Sequence, residues 1–158
     1  MKQIIHRTAA ITATLCIAIF FSSTVVVELL GSQESIASVK SLIVFPGLFI
    51  LVPAIAITGG TGFSLSRGRK GSLMDTKKKR MPFIGANGLL ILLPSAIYLN
   101  SLASMGNFDS IFYTVQGLEL VAGAINLVLM SLNIRDGLKL SGRFRKSRKN
   151  VIASNQSI

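Results

Sequence analysis

Four apolar blocks divide the chain, at 8–30, 41–58, 83–103 and 111–132. Each is 18 to 23 residues long, and between them they hold only two charged residues, Glu28 and Glu119. A helix needs about 20 residues to cross a hydrocarbon core roughly 30 Å thick. A helix on a soluble core would show a polar face at every turn, and these blocks mostly lack one. Membrane β-strands would be shorter and would alternate in polarity. The pattern therefore predicts an all-α membrane protein, a bundle of four transmembrane helices in one domain, 1–158. Short polar links separate the first helix from the second and the third from the fourth. A basic loop at 61–82 joins the middle two, and a basic tail, 134–158, ends the chain.

The fourth block contains a polar stripe. Phe112, Gln116, Glu119, Gly123 and Asn126 are spaced by 4, 3, 4 and 3 residues, which sets them on one helix face. Gly123 offers a flat place for a neighbouring helix to approach. Glu119 falls near mid-membrane, where a carboxylate facing lipid would be expelled or neutralised. With Lys40 assigned to the first link, no Lys, Arg or His lies in any block to pair with it. Its expected hydrogen-bond partners are neutral: Gln116 and Asn126 on its own helix, Asn87, Tyr98 and Asn100 on the third, and the hydroxyls of the first. Desolvation without a cation raises a carboxyl pKa, so Glu119 is expected to be protonated at neutral pH. Glu28, at the outer end of the first helix, reads as a headgroup-level carboxylate.

Prolines mark expected kinks at Pro46, Pro53 and Pro94. On one continuous helix, Pro46 and Pro53 would share a face, because seven residues make about two turns. Pro82 is expected to open the third helix, where its missing N–H costs nothing. Tyr98 and Tyr113 suit an outer interface belt.

Composition sharpens this reading. Half of the 158 residues are hydrophobic and the mean hydropathy is +0.60, too apolar for a soluble domain of this size. The net charge is +11, and the cations are clustered. Lys2 and Arg7 precede the first block. Arg67, Arg69, Lys70, Lys77, Lys78, Lys79 and Arg80 fill the middle loop, and seven more follow the fourth block. Basic residues in short loops stay on the cytoplasmic side, which predicts both termini and the middle loop inside. The middle-loop cluster fits anionic lipid headgroups on that leaflet. It lacks the interleaved aromatics of a nucleic-acid site, and no nucleic-acid partner is expected. The first block follows Lys2 and Arg7 but is longer than a signal h-region of about 7–15 residues, and it reads as an uncleaved helix.

The chemistry-bearing residues are few. Cys16 is the one cysteine and His6 the one histidine. There is no metal-ligand spacing, no Ser-His-Asp set and no phosphate-loop motif in "TGGTGFSLSRGRKGS". No enzyme activity, cofactor or metal is expected.

The segments "LIVFPGLFILVPAIAITGGTGFSLSRGRKG", "RMPFIGANGLLILLPSAIYL" and "FYTVQGLELVAGAINLVLMSLNIRDGLKLSGR" resemble those of uncharacterised small four-span inner-membrane proteins of bacteria. The resemblance covers about 44–143. It implies a bacterial inner-membrane location and brings no activity, cofactor or site. Small multidrug exporters also have four spans and one membrane glutamate, but theirs lies on the first helix beside tryptophans, and this chain has no tryptophan.

Three roles remain. The first is a structural or accessory subunit of a larger membrane complex, in contact with other membrane subunits or with itself. The second is a small proton- or cation-coupled transporter or channel component that uses Glu119. The third is a redox anchor binding haem through His6, with Met81, Met130 or another chain supplying the second ligand.

Overall fold

The fold is described from a computed structural model, which covers residues 1–66 and 72–140. The described residues are helical apart from their short links. The elements are α1 (Lys2–Leu30), α2 (Gln33–Leu42), a π-helical turn (Ile43–Leu48), α3 (Phe49–Ser66), α4 (Ser72–Asn87), a second π-helical turn (Gly88–Leu92), α5 (Leu93–Ser104) and α6 (Ser110–Leu140). They combine into four segments long and apolar enough to cross a membrane: Lys2–Leu30, Gln33–Leu65, Lys79–Ser104 and Ser110–Lys139. The protein is a multi-pass helical membrane protein.

The helices outrun the apolar blocks that announce them. The second span begins at Gln33, eight residues before the apolar block, because Ser32 caps α2 by accepting a hydrogen bond from the Ser35 N–H. The expected loop at 61–82 is mostly helix: α3 runs to Ser66 and α4 starts at Ser72. Pro82 therefore sits inside α4 rather than opening it. Lysines and arginines are good helix formers, so a run of them continues a helix beyond the depth at which lipid would expel it.

The prolines act differently from one another. Phe45 has extended backbone angles (φ −135°, ψ 117°) and the Phe45–Pro46 bond is cis, so the second span is two helices meeting at a kink. Pro46 has no N–H to donate, and its ring disfavours a helical conformation in the residue before it. The shared face expected for Pro46 and Pro53 assumed one continuous helix and does not apply. α3 continues through Pro53. Pro94 lies just past the second π-helical turn, at the start of α5.

The four spans form a ring. The first packs on the second and fourth, and the third packs on the second and fourth. Two apolar clusters close the interior. One joins Ala13 and Ile17 of α1, Leu51 and Ala54 of α3, and Met130 of α6. The other joins Ile36 of α2, Leu99, Leu102 and Ala103 of α5, and Phe112 of α6, at the end away from the termini. The kinked segment is also clamped. A Cβ on Gly47 would come within 2.6 Å of Phe20 Cζ and 2.9 Å of the Leu42 carbonyl oxygen.

Gly47→Ala should therefore cost about 1–3 kcal/mol of bundle stability, since backbone cannot yield to the added methyl. Gly117→Ala, whose methyl would meet nothing within 4 Å, should be neutral or stabilising. Unfolding of purified protein in mixed micelles would measure both.

Candidate functional site: a charged layer inside the bundle

Between the two apolar clusters lies a polar layer. Its centre is an ion pair: Lys40 Nζ donates to Glu119 Oε2 at 2.5 Å. Lys40 is fully buried and the Glu119 side chain is 13% exposed. This corrects the expectation that Glu119 has only neutral partners. Lys40 is inside the second span because α2 starts at Gln33. It lies seven residues into its span and Glu119 nine into α6, about 10 and 14 Å along the axes at 1.5 Å per residue. Both helices start at the same end of the bundle, so the two side chains meet at similar depth. The second and fourth spans sit across the ring from each other, and the long lysine stem carries its ammonium over the centre.

Gln116, one turn before Glu119, donates its Nε2 to the same Oε2 at 3.4 Å, while its Oε1 is buried without a hydrogen-bond partner. Glu28 is half-buried, its Oε1 also buried and unpartnered. Thr24, one turn earlier on the same face of α1, is buried and lines a pocket of about 40 Å³ with Glu119. Glu28 itself lies two residues from the end of α1.

The other stripe residues separate. Gly123 is the expected point of approach: a Cβ there would lie 3.4 Å from the Phe21 ring of α1 and 4.0 Å from Leu92. Asn126 is fully buried, with neither amide atom partnered among the described residues, and it faces Gly88 of the second π-helical turn. Asn87 donates to the Ala122 carbonyl at 2.9 Å rather than to Glu119. Tyr98 is exposed, Asn100 is half-exposed, and no hydrogen bond links either to Glu119.

Beside the ion pair is a groove of about 330 Å³. It is lined by Ile43 and Leu48 of the first π-helical turn, Gly88 and Leu92 of the second, and Leu51 and Ile55 of α3. Glu119 is the one charged residue on its wall. The groove lies where the two middle spans are irregular. Such broken segments are tolerated at membrane depth where they line a cavity; the second span breaks at the kink before Pro46, and the π-helical turn Gly88–Leu92 of the third is of a kind frequent at functional sites.

At the end where α1 begins and α6 finishes, a second ion pair fixes α4 to α6. Arg80 Nη1 bonds Asp136 Oδ2 at 2.9 Å, and Asp136 is 3% exposed. Arg80, expected among the lipid-facing cations, instead matches a buried carboxylate. Arg67, Arg69 and Lys70 lie outside the described residues, as does the tail beyond 140. Lys77, Lys78 and Lys79 fall on α4, with Lys79 exposed. His6 packs at the same end, its Nδ1 within 3.0 Å of Thr61 Oγ1 and 3.2 Å of the Thr58 carbonyl. No group of three or more potential metal ligands occurs among the described residues.

No protein-family model, curated protein or solved structure matches this chain. The fold and site define a four-span membrane protein with an ion pair at the centre of its bundle, and the argument for function rests on that pair.

Lys40→Met and Glu119→Leu should each destabilise the bundle, because each leaves a charge or a carboxyl in an apolar interior. The double variant should recover most of the loss, giving a coupling energy of about 1–3 kcal/mol. A double-mutant cycle on unfolding in micelles measures it.

Proposed function

We propose that this protein is a small proton- or cation-coupled transporter or channel component of a bacterial inner membrane. Glu119 is its coupling group, and both termini are cytoplasmic. One observation carries the reading: the only charged residue on the wall of the interior groove is also half of the ion pair at the bundle centre. A buried ion pair contributes little net stability, since desolvation offsets most of its attraction. Ionisable groups inside membrane spans face the bundle interior, pair with one another and mark ion paths and proton relays. The groove between two interrupted helices resembles the placement of binding sites in larger transporters. The orientation follows from the cations. Lys2 and Arg7 precede the first span, and the middle-loop and tail clusters follow the second and fourth in the sequence; short basic segments stay inside.

A second reading is an accessory subunit of a larger membrane complex. Its support is the low burial within the spans, 17–28% of each apolar window, which leaves broad faces for lipid, a second copy or other subunits. On either reading the basic end contacts anionic lipid.

Reconstitution into liposomes with an enclosed pH-sensitive dye separates the two. On the transport reading, wild type collapses an imposed ion or proton gradient, while Glu119→Gln loses most of that flux and keeps wild-type helicity. Absence of flux, together with a partner co-purifying at fixed stoichiometry, would instead assign the accessory role.

A further inference from the structure

We propose that the groove between the second and third spans binds a neutral, mostly apolar molecule carrying one hydroxyl, whose O–H donates to Glu119. The proposal names the substrate class for the site already described. It rests on the transport reading only for that molecule to be moved rather than merely held.

The shape of the groove comes first. Ligand sites measure about 300–1,000 Å³ and are lined mostly by apolar side chains with a few placed polar groups. This groove, at about 330 Å³, falls at the small end of that range. The buried part of its wall includes Ile43, Leu51 and Ala96. Val52 and Leu89, one from each middle span, line it as well and are 42% and 59% exposed. Both lie well inside their spans, Gln33–Leu65 and Lys79–Ser104, so the groove opens sideways. Hydrocarbon faces that opening, and a molecule that enters is one already dissolved in the bilayer.

The carboxylate says what the molecule must bring. Lys40 Nζ and Gln116 Nε2 both donate to one oxygen of Glu119, Oε2. Oε1 accepts no hydrogen bond among the described residues, yet it is not one of the sealed, unpartnered atoms. The side chain is 13% exposed and borders the groove. One acceptor oxygen is thus left open on an otherwise apolar wall. An ionised carboxylate accepts and cannot donate, so its ligand must supply an O–H or N–H. A ketone, ester or ether would leave that oxygen unmet. The ammonium of Lys40 is fully buried and is not part of the wall, so the groove offers no side-chain donor in return. An amide would therefore gain a partner for its N–H and lose one for its carbonyl.

Charge chooses among the remaining donors. Lys40 already matches Glu119, and the pair is neutral as a unit. An ammonium ligand would add an unmatched positive charge to an interior closed by apolar clusters at both ends, which is costly. An anion would meet the carboxylate. A hydroxyl brings a donor without a charge, and its bond to an ionised acceptor is about twice as strong as a neutral one.

Photolabelling of the full chain in lipid nanodiscs tests this, with dodecanol carrying a diazirine on its chain as the probe. Mass spectrometry should place the label on groove residues such as Val52 and Leu89. Unlabelled dodecanol should displace it about tenfold better than dodecane or dodecylammonium at equal bilayer mole fraction, the worth of one bond to a charged group. A Cβ at Gly85, which lines the groove, would meet nothing within 4 Å. Gly85→Leu should therefore occupy the groove without a clash and lose the label. Lys40→Met leaves Glu119 unmatched and should reverse the ranking in favour of dodecylammonium. If the lysine variant does not fold, the wild-type ranking and Gly85→Leu decide alone. Label spread evenly over the lipid-facing helices would overturn the proposal. Equal displacement by dodecane would overturn it in favour of ordinary lipid chains, and stronger displacement of the wild-type label by dodecylammonium in favour of a cation site. An unchanged ranking in a folded Lys40→Met variant would also overturn it. Groove labelling without flux in liposomes would keep the site and sink the transport reading, whereas flux without groove labelling would do the reverse.

Discussion

A lysine at the centre of a bundle of apolar helices sets the terms for everything near it. Its ammonium must be met by a carboxylate, and the carboxylate must come from a helix facing it across the ring. That requirement fixes the register of the fourth span against the second, because a slip of one turn would move the partners about 5 Å apart. It also forces the layer around the pair to be polar. Gln116 and Thr24 gather there, whereas Leu, Ile and Phe fill the interior above and below.

A second constraint comes from irregular backbone. Both middle spans are interrupted, one by the extended Phe45 before Pro46 and one by the π-helical turn before Pro94. Residues of both interruptions line the groove, whose wall also includes Glu119. Closely packed straight helices would have sealed Glu119 in. Here a side chain that is nearly buried still borders two spaces, a small pocket toward α1 and a larger groove toward α3 and α5. Asn126, buried without a partner and facing Gly88, adds polarity on the same seam.

The four spans could be read from the apolar blocks because lipid imposes both length and composition. The glutamate and its stripe were legible for the same reason, as an acid stands out in apolar surroundings. Lys40 was not, and the cause is physical. A charge at the edge of an apolar block looks like the end of a helix, since most such lysines lie in water. The missed signal was periodic: Ile36, Lys40 and Ile43 are all buried, at the spacing of one helix face, and Ser32 is a capping residue well upstream. The break at Phe45 was foreshadowed by Pro46, but proline alone does not say whether a helix bends, breaks or runs on, and Pro53 runs on. Arg80 looked like one more surface cation until the packing of α4 on α6 brought Asp136 to it.

The separation of 79 positions between Lys40 and Glu119 has a bearing on how the protein is made. A ribosome delivers the spans in order, so the second enters the bilayer with its lysine long before the fourth exists. On insertion scales a lysine costs about 2.5–3.5 kcal/mol at a helix centre and less toward an end; Lys40, seven residues into its span, still weakens the commitment of an early hairpin to the membrane. The counter-charge comes with the last helix to arrive, so that arrival of the fourth span and closure of the interior are a single event. A truncated product lacking the fourth span would remain recognisably unfinished to the machinery that inspects new membrane proteins.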